Sequence, residues 1–249
     1  MTTVWPYLRL AAAALGAAAI LRQLAIAVGN ARAAEGVAAG QVGTVVANFF
    51  SYFTIISNLC AVVVLVLLGV RALRRRDVGV DPAWLATLLV CASAYMIVTG
   101  VVYNLLLRSI PIAGISDVWT NETLHLIAPL FLLIDVLVGP QRRALPWRAV
   151  LVAAVLPVLW VLYTMIRANF VVGPATGDPW WYPYPFLDPH LVPGGYVGVA
   201  GYIVGIAAVI LGVAAGVVAV GRRRGRRDTN QGARASASPS TGADRPAGN

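Results

Sequence analysis

The chain has 249 residues, of which 59% are hydrophobic and 12% are charged, with a formal net charge of +9 at pH 7. A soluble domain carries roughly twice that charged fraction, which argues against an ordinary soluble protein. Every basic residue is an arginine, and the arginines cluster beside long apolar runs. This arrangement is not that of a nucleic-acid-binding face and predicts a protein whose main solvent is lipid. The alanine-rich, lysine-free composition also indicates a bacterial origin.

Six apolar runs are each long enough to cross a bilayer as a helix, which takes about 20 residues. In chain order they cover residues 4–28, 45–70, 83–107, 119–138, 149–170 and 196–220. The first run has a signal-peptide position, but it lacks a charged n-region and no polar mature domain follows it, so we interpret it as a span. The sequence therefore predicts an all-α membrane bundle with six transmembrane helices in residues 1–221.

The arginine clusters predict the orientation of this bundle. They lie within residues 71–76, 142–148 and 222–227, after the second, fourth and sixth runs. Six spans place all three clusters on one side, which the positive-inside rule assigns to the cytoplasm. We therefore expect a multi-pass protein of the cell membrane with both termini cytoplasmic. Residues 222–249 begin with arginines and contain little apolar sequence after them, which predicts a disordered basic cytoplasmic tail.

The connection between the last two runs, residues 174–196, mixes prolines with tryptophans and tyrosines. Prolines prevent a regular helix, and such aromatic side chains favour the level of the lipid headgroups. Two interpretations stay open: an ordered cap on the outer end of the bundle, or an ordinary aromatic belt.

A polar stripe occupies the first half of the second run. Asn48, Ser51, Thr54 and Asn58 are spaced three or four residues apart, which is the spacing of one helical face. Polar side chains inside a membrane turn away from lipid, so this face is expected to point into the bundle. The stripe could serve only to hydrogen-bond neighbouring helices, which Ser, Thr and Asn commonly do in membranes.

The fourth run carries Asn121, Glu122, His125 and Asp135. A histidine within a membrane span is costly and is a functional hypothesis by default, although a satisfied structural role stays open. No second histidine lies in a span and no cysteine pair has ligand spacing, so we expect no metal, haem or other cofactor. Asp135 lies near the inner end of its span and is expected to form a structural ion pair.

The depths of two side chains allow them to share a level in the outer half of the membrane. Thr54 lies about nine residues, or roughly 14 Å, into its predicted helix, and His125 about six residues, or roughly 9 Å, into its own. A hydroxyl beside an imidazole is the minimum for nucleophilic acyl transfer, with Thr54 as nucleophile and His125 as base. Asn121 or Glu122 would orient the imidazole, and Asn58 or a freed backbone N–H would stabilise the oxyanion.

Further polar side chains recur at helical spacing and are expected to line the same cavity and bind substrate. Three arginines near the outer ends of spans could hold a carboxylate or phosphate, or could simply snorkel to the interface. These predicted substrate-binding residues are Arg22, Tyr95, Thr99, Tyr103, Arg108, Tyr163 and Arg167. Asp135 is expected to pair with Arg9 or Arg142. His190, in the aromatic connection, is an alternative base.

Three short motifs occur in the order and positions of a known family. They are "SYFTIISN" around Thr54, "NETLH" ending at His125, and "YPYPFLD" before the last run. The chain resembles the androgen-induced and ADTRP-like (FAR-type) family of six-span membrane proteins, whose bacterial branch is called Pr-six-Pr. The resemblance implies a threonine hydrolase of lipid esters, such as fatty acid esters of hydroxy fatty acids, with Thr54 as nucleophile and His125 as base. Phe53 stands where the animal members usually have leucine.

Two other classes of function stay open at this point. The same polar cavity would suit a non-enzymatic carrier or receptor for a lipid or small anion, in which arginines matter more than Thr54. A structural subunit without a site of its own would tolerate any change at Thr54. In each case membrane lipids are the expected partners.

Overall fold

The computed structural model describes residues 4–36, 39–74, 79–110 and 117–237. The regular elements within these ranges are all helical. In chain order they are α1 (Trp5–Ala33), α2 (Val42–Ser51), α3 (Phe53–Arg74), α4 (Ala83–Val102), α5 (Val118–Glu122), α6 (Ala128–Val138), α7 (Arg148–Arg167) and α8 (Tyr196–Ala237). A π-helical turn at Tyr103–Leu107 extends α4, and a second at Thr123–Ile127 joins α5 to α6.

Six of the helices are long and apolar enough to cross a membrane, as the sequence predicts. They are Trp5–Ala33, Phe53–Arg74, Ala83–Leu107, Val118–Val138, Arg148–Phe170 and Tyr196–Gly225. Their ends differ from the predicted runs by a few residues, except at the second run. The protein is therefore all-helical in the residues described, with the composition of a multi-pass membrane protein.

The second run is not one helix, and in this the prediction is wrong. α2 ends at Ser51, and Tyr52 has an extended backbone, with φ −69° and ψ 130°, before α3 begins at Phe53. Neither proline nor glycine marks the break. Two backbone groups beside it instead bond to side chains far along the chain: the Ser51 carbonyl and the Thr54 N–H. Such partners are required at membrane depth, where an unpaired backbone group is costly.

α4 forms the centre of the bundle and is the most buried of the six long helices. One of its faces places Leu85, Leu89 and Met96 against α3 and α6. Its opposite side packs against α7 and α8 through small residues such as Ala153 and Ala214, which let the helices approach closely. α1 packs along α3 at the edge.

The arginine-rich connections gather at one end of the bundle, which we call the arginine-rich end. The Asp81 N–H donates to the Gln141 carbonyl, and Arg143 donates to the Asp81 carbonyl at 3.3 Å. α8 passes beside the same connection at Gly225, where an added Cβ would stand 3.1 Å from the Ala144 nitrogen. Residues 75–78, which carry two arginines of the first cluster, lie outside the described residues.

Asp135 forms a buried ionic cluster near this end. The Arg9 Nε lies 2.9 Å from its carboxylate and an Arg142 nitrogen lies 2.7 Å away, while the Trp5 indole N–H also donates to it. Arg9 and Asp135 are both 0% exposed. The predicted ion pair is confirmed, and it includes both of the arginines proposed for it.

The last helix continues beyond the predicted boundary of the spanning domain. α8 runs to Ala237, whereas the sequence predicts order only to residue 221. The extension begins with arginines at 222–224, 226 and 227 and ends with alanines at 233, 235 and 237, and both residue types are good helix formers. Residues 238–249 of the predicted tail lie outside the described residues.

The connection between α7 and α8 packs over the other end of the bundle. The Trp181 N–H donates to the Ala168 carbonyl at the end of α7. Further along, a 3₁₀ turn at Pro185–Leu187 buries Leu187, which is 1% exposed. We call residues 171–195 the aromatic loop; it is fixed on both sides of Tyr184.

Candidate active site

Thr54 lies in the first turn of α3, immediately after the break at Tyr52. The first N–H groups of a helix have no carbonyl within the helix to donate to. The Thr54 N–H donates instead to the Tyr184 hydroxyl at 3.1 Å. On the other side of the break, the Trp160 indole donates to the Ser51 carbonyl at 2.9 Å. The break therefore frees the backbone N–H of the predicted nucleophile, which a continuous helix would have used.

His125 lies in the π-helical turn between α5 and α6. Its Nε2 is 3.3 Å from the Thr54 Oγ1, so the structure brings together the two residues of the predicted pair. In this turn the Ala128 N–H donates to the Thr123 carbonyl, five residues back instead of four. π-helical turns are rare and are frequent at functional sites.

The other imidazole nitrogen fixes the tautomer. His125 Nδ1 is 3.0 Å from the Asn121 carbonyl oxygen, which can only accept a hydrogen bond. The neutral ring therefore carries its proton on Nδ1 and directs the Nε2 lone pair at Thr54. Asn121 thus orients the imidazole as predicted, but through its backbone and not its side chain.

Tyr103 holds the imidazole from the side. Its ring stacks on His125 with centroids 3.8 Å apart and an interplanar angle of 21°. The Asn121 side-chain amide donates to the Tyr103 hydroxyl at 2.6 Å. Because Asn121 holds Tyr103 and Tyr103 stacks on the imidazole, a tilt of the imidazole away from Thr54 would also break the stacking contact.

Tyr184 is the residue of the site to which the sequence interpretation gave no role. Its hydroxyl oxygen lies 3.2 Å from Thr54 Oγ1, in addition to its bond with the Thr54 N–H. Burial raises the pKa of Tyr184 above its ordinary value and outweighs its hydrogen bonds with Thr54, which lower it, so the phenol keeps its proton at physiological pH. The motif "YPYPFLD" contains this residue, but a motif in a loop does not reveal which side chain returns to the bundle.

An apolar cavity of about 110 Å³ adjoins Thr54. The start of α3, α4 with its π-helical turn, α7, α8 and the aromatic loop form its wall, and the polar residues on the wall include Thr54, Thr99, Tyr103 and Tyr184. No charged side chain belongs to the wall as far as the chain is described. Val158, on α7, borders it and is 51% exposed on the outside of the bundle. The cavity therefore suits an uncharged, apolar chain.

Two supporting residues do not have the roles that the sequence predicts for them. The Asn58 amide donates to the Thr54 carbonyl at 2.9 Å and to the Leu124 carbonyl at 3.2 Å, so both of its N–H groups are used and it cannot serve an oxyanion. Glu122 forms a bidentate pair with Arg108, both distances being 2.9 Å, instead of orienting the imidazole. The carboxylate is thus paired with the Arg108 guanidinium and not with the imidazole.

The predicted substrate-binding residues without charge do not all reach the cavity. Thr99 and Tyr103 line it, as expected. Tyr95 is absent from the described wall, because its ring packs edge-on against Phe53 in the core. Tyr163 is also absent from the described wall: it lies one helical turn after the wall residue Trp160 on α7, and its hydroxyl is 3.0 Å from the Ser51 Oγ.

Two of the three outer arginines are neutralised by carboxylates of the folded chain. Arg22 pairs with Asp117 at 2.7 Å, and Arg108 pairs with Glu122 at 2.9 Å. The interpretation of these two as free anion-binding groups is therefore wrong, because each guanidinium already has a counter-ion.

The third outer arginine, Arg167, has only neutral neighbours among the contacts described. It donates to the Asn48 side-chain oxygen at 2.7 Å and lies over the Trp181 ring, with its guanidinium carbon 5.5 Å from the ring centroid. Its positive charge is thus held beside the aromatic loop, at the end of the bundle opposite the arginine-rich end.

His190, the alternative base, lies in the aromatic loop away from this hydrogen-bond network. Its Nδ1 contacts Asp188 at 2.9 Å, and its ring stacks on Trp180 at 3.6 Å between centroids. Across the described ranges no cluster of three or more histidine, cysteine or acidic side chains has the arrangement of a metal site. Comparison with known proteins gives no relative, since no family model, curated protein or solved structure matches the chain.

Proposed function

We propose that the protein is an intramembrane hydrolase of lipid esters, with Thr54 as nucleophile and His125 as general base. The observation that carries the proposal is the 3.3 Å contact between Thr54 Oγ1 and the unprotonated Nε2 of His125, beside an apolar cavity. A nucleophile next to a base that a third group orients is the pattern of covalent acyl transfer. Here the third group is the Asn121 carbonyl.

The reaction follows from these positions. His125 Nε2 takes the Thr54 proton while Oγ1 attacks the ester carbonyl carbon, and the carbonyl electron pair moves to its oxygen. The tetrahedral intermediate collapses to an acyl-threonine, and the leaving alkoxide takes the proton back from Nε2. Water, deprotonated by His125, then attacks the acyl carbon; the bond to Thr54 Oγ1 breaks, Oγ1 takes the proton back from Nε2, and the fatty acid leaves. Tyr103 and Asn121 hold the imidazole for both proton transfers.

The cavity indicates which part of the substrate it binds. An acyl chain suits a wall that is apolar and uncharged, and the exposed border at Val158 offers a path from the acyl tails of the bilayer. The resemblance to the androgen-induced and ADTRP-like family suggests fatty acid esters of hydroxy fatty acids. For the carboxylate of such a substrate, Arg167 is the best placed of the three outer arginines, because its hydrogen-bond partner, the Asn48 amide, is neutral.

The proposed orientation places the arginine-rich end, and with it both termini, in the cytoplasm of a cell-membrane protein. Thr54 and His125 then lie toward the outer leaflet, because the aromatic loop and Arg167 cap the opposite end of the bundle. A single reporter cysteine at the exposed Ala175 of the aromatic loop, labelled from outside intact cells by a membrane-impermeant thiol reagent, tests this. Labelling only after the cells are opened would reverse the orientation.

The test of the enzyme is hydrolysis of acyl esters of increasing chain length by the purified full chain. We expect Thr54→Val and His125→Ala to lose about 10³-fold or more in kcat. Two matched controls should retain the wild-type rate. Thr87→Val removes a hydroxyl that bonds to the Ala83 carbonyl, in the first turn of α4. His190→Ala removes the second histidine of the chain.

A fluorophosphonate probe tests the nucleophile directly. It should label Thr54 in the wild-type protein and in both controls, and the label should disappear in His125→Ala. Equal hydrolysis by Thr54→Val and the wild type, or labelling at another residue, would remove Thr54 from the mechanism.

A non-enzymatic lipid-binding protein is the second candidate, because the cavity is apolar and the Thr54 N–H already donates to the Tyr184 hydroxyl. A small-anion carrier is less well supported, since Arg22 and Arg108 are paired with carboxylates. The lipid-binding candidate predicts stoichiometric retention of an acyl ester without product, equally in the wild type and in Thr54→Val.

A further inference from the structure

We propose that Tyr184 is a catalytic residue of this site: its hydroxyl and the Thr54 N–H together form the oxyanion hole. The proposal deepens the function proposed above and rests on it. It starts from the hydrogen bonds of a single phenol oxygen, which lies 3.1 Å from the Thr54 nitrogen and 3.2 Å from Thr54 Oγ1.

The direction of each hydrogen bond follows from its partner. The Thr54 N–H can only donate, so the Tyr184 oxygen accepts it. Because His125 Nε2 accepts the Thr54 hydroxyl proton, Thr54 Oγ1 is free to accept the proton of Tyr184. The chain therefore runs from Tyr184 through Thr54 to His125, and it ends at the Asn121 carbonyl.

The Tyr184 hydroxyl oxygen occupies the position that the carbonyl oxygen of a bound ester would take. In acyl transfer the carbonyl carbon approaches the nucleophile, and its oxygen needs donors at about 2.7–3.1 Å. The N–H of the nucleophilic residue is such a donor, and the first turn of α3 adds the positive end of a helix dipole. In the substrate-free protein, Tyr184 fills this place with its own oxygen.

Binding of an ester requires only a small movement of the phenol. The substrate oxygen replaces the Tyr184 oxygen at the Thr54 N–H, and the phenol shifts by about one oxygen diameter, roughly 3 Å. The loop backbone is anchored on both sides, by the Trp181 bond to Ala168 and by buried Leu187. The hydroxyl thus stays within reach and donates to the oxygen that displaced it.

The step balances without any further reactant. The bond between Thr54 Oγ1 and the carbonyl carbon forms, the Thr54 proton passes to His125 Nε2, and the carbonyl electron pair becomes the oxyanion. Tyr184 donates a hydrogen bond to that oxyanion and keeps its proton. This differs from the role predicted for Asn58, whose N–H groups are committed to carbonyls.

A comparison of oxygen with sulfur esters separates this role from simple capping of the helix break. The probes are a p-nitrophenyl acyl ester and the matching thionoester, whose C=S group accepts hydrogen bonds poorly. We expect Tyr184→Phe to lower kcat for the oxoester by about 100-fold. The loss for the thionoester should be much smaller, so the oxoester-to-thionoester ratio should fall by about 10-fold or more.

Tyr182→Phe is the matched control. It removes a hydroxyl from the same loop, but that hydroxyl contacts Tyr196 at 3.4 Å, and no contact with Thr54 is found in the described chain. Its oxoester-to-thionoester ratio should equal that of the wild type. Equal losses for both esters in Tyr184→Phe, or no loss, would overturn the oxyanion role while leaving Thr54 and His125 in place. Absence of Thr54-dependent hydrolysis in the wild type would overturn the proposed function and this inference together.

A second variant covers the case in which Tyr184→Phe does not fold. 3,5-Difluorotyrosine at position 184 keeps the ring and the hydroxyl but ionises at lower pH, and a phenolate cannot donate. We expect its hydrolysis rate to fall at alkaline pH where the wild-type rate persists, because burial raises the pKa of the natural Tyr184. Identical alkaline limits in the two proteins would overturn the proposal.

Discussion

His125 and Asp135 lie on one continuous helix, Val118–Val138, and their surroundings differ in kind. Asp135 is 0% exposed and is held by Arg9 and Arg142, so its charge is closed off from any ligand. His125 faces the hydroxyl of Thr54, and Thr54 lines a cavity whose wall includes the partly exposed Val158. Both side chains are costly polar groups in a membrane helix, but of the two only His125 contacts a residue that lines the cavity.

This contrast separates structure from function among buried polar residues. The Asp135 carboxylate is taken up by Arg9, Arg142 and the Trp5 indole, and its removal leaves two buried guanidinium groups without a counter-ion. At Thr54 the hydrogen bonds pass through groups that can change partners, because a hydroxyl and an imidazole both donate and accept. Substitutions at the first place should cost stability, and substitutions at the second should cost activity.

Asp135→Ala should have the largest effect on stability. It leaves the Arg9 and Arg142 guanidinium groups buried without a counter-ion, which costs about 3–5 kcal/mol. The control is Asp117→Ala, which breaks the more exposed pair with Arg22 and should cost about 0–1 kcal/mol. Unfolding of both variants in detergent measures the difference. Equal costs would show that the Asp135 cluster is no more than an ordinary surface pair.

Replacement of the whole cluster by apolar residues should recover that loss. In the triple variant Arg9→Met, Asp135→Leu and Arg142→Met no charge of the cluster remains, and such replacements are often neutral or stabilising by about 1–4 kcal/mol. We expect ester hydrolysis at the wild-type rate, because the cluster lies at the arginine-rich end. If the triple variant unfolds as readily as Asp135→Ala, the cost comes from lost packing and not from unpaired charge.

The sequence predicted the six long helices well because each needs only a sufficient apolar length. It also predicted the meeting of Thr54 with His125, although the residue count that gave the depth of Thr54 runs through the break at Tyr52. The break at Tyr52 could not be predicted in this way. The side chains that bond to its backbone groups are those of Trp160 and Tyr184, which lie far along the chain and show no local signal.

The same limit explains the wrong roles of Asn58 and Glu122. Helical spacing places a side chain on a face but does not say which neighbour takes its hydrogen bonds. The Asn58 amide donates to two carbonyls, and Glu122 accepts from Arg108, which belongs to a different span. The partner choice depends on packing between helices, which a single sequence does not contain.

Trp160→Phe should have an intermediate effect, and it should lower both stability and activity. It removes the donor to the Ser51 carbonyl and leaves that buried carbonyl unpaired, at a cost of about 1–3 kcal/mol. Because Ser51 borders the break that positions Thr54, we expect kcat to fall by about tenfold as well. Trp84→Phe, at a position 57% exposed, is the control and should change neither. A stable Trp160→Phe protein with full activity would mean that the break does not depend on this bond.

Glu122→Gln should have the smallest effect, and it tests which group orients His125. The Glu122 and Arg108 side chains are 27% and 43% exposed, so solvent screens their ion pair and its loss should change the free energy of unfolding little. Since the Asn121 carbonyl holds Nδ1, we expect kcat to stay within about threefold of the wild type and its pH profile to keep its shape. A large loss of kcat at unchanged stability would show that Glu122 acts on His125 after all. The substitution would then affect the imidazole through charge and not through packing.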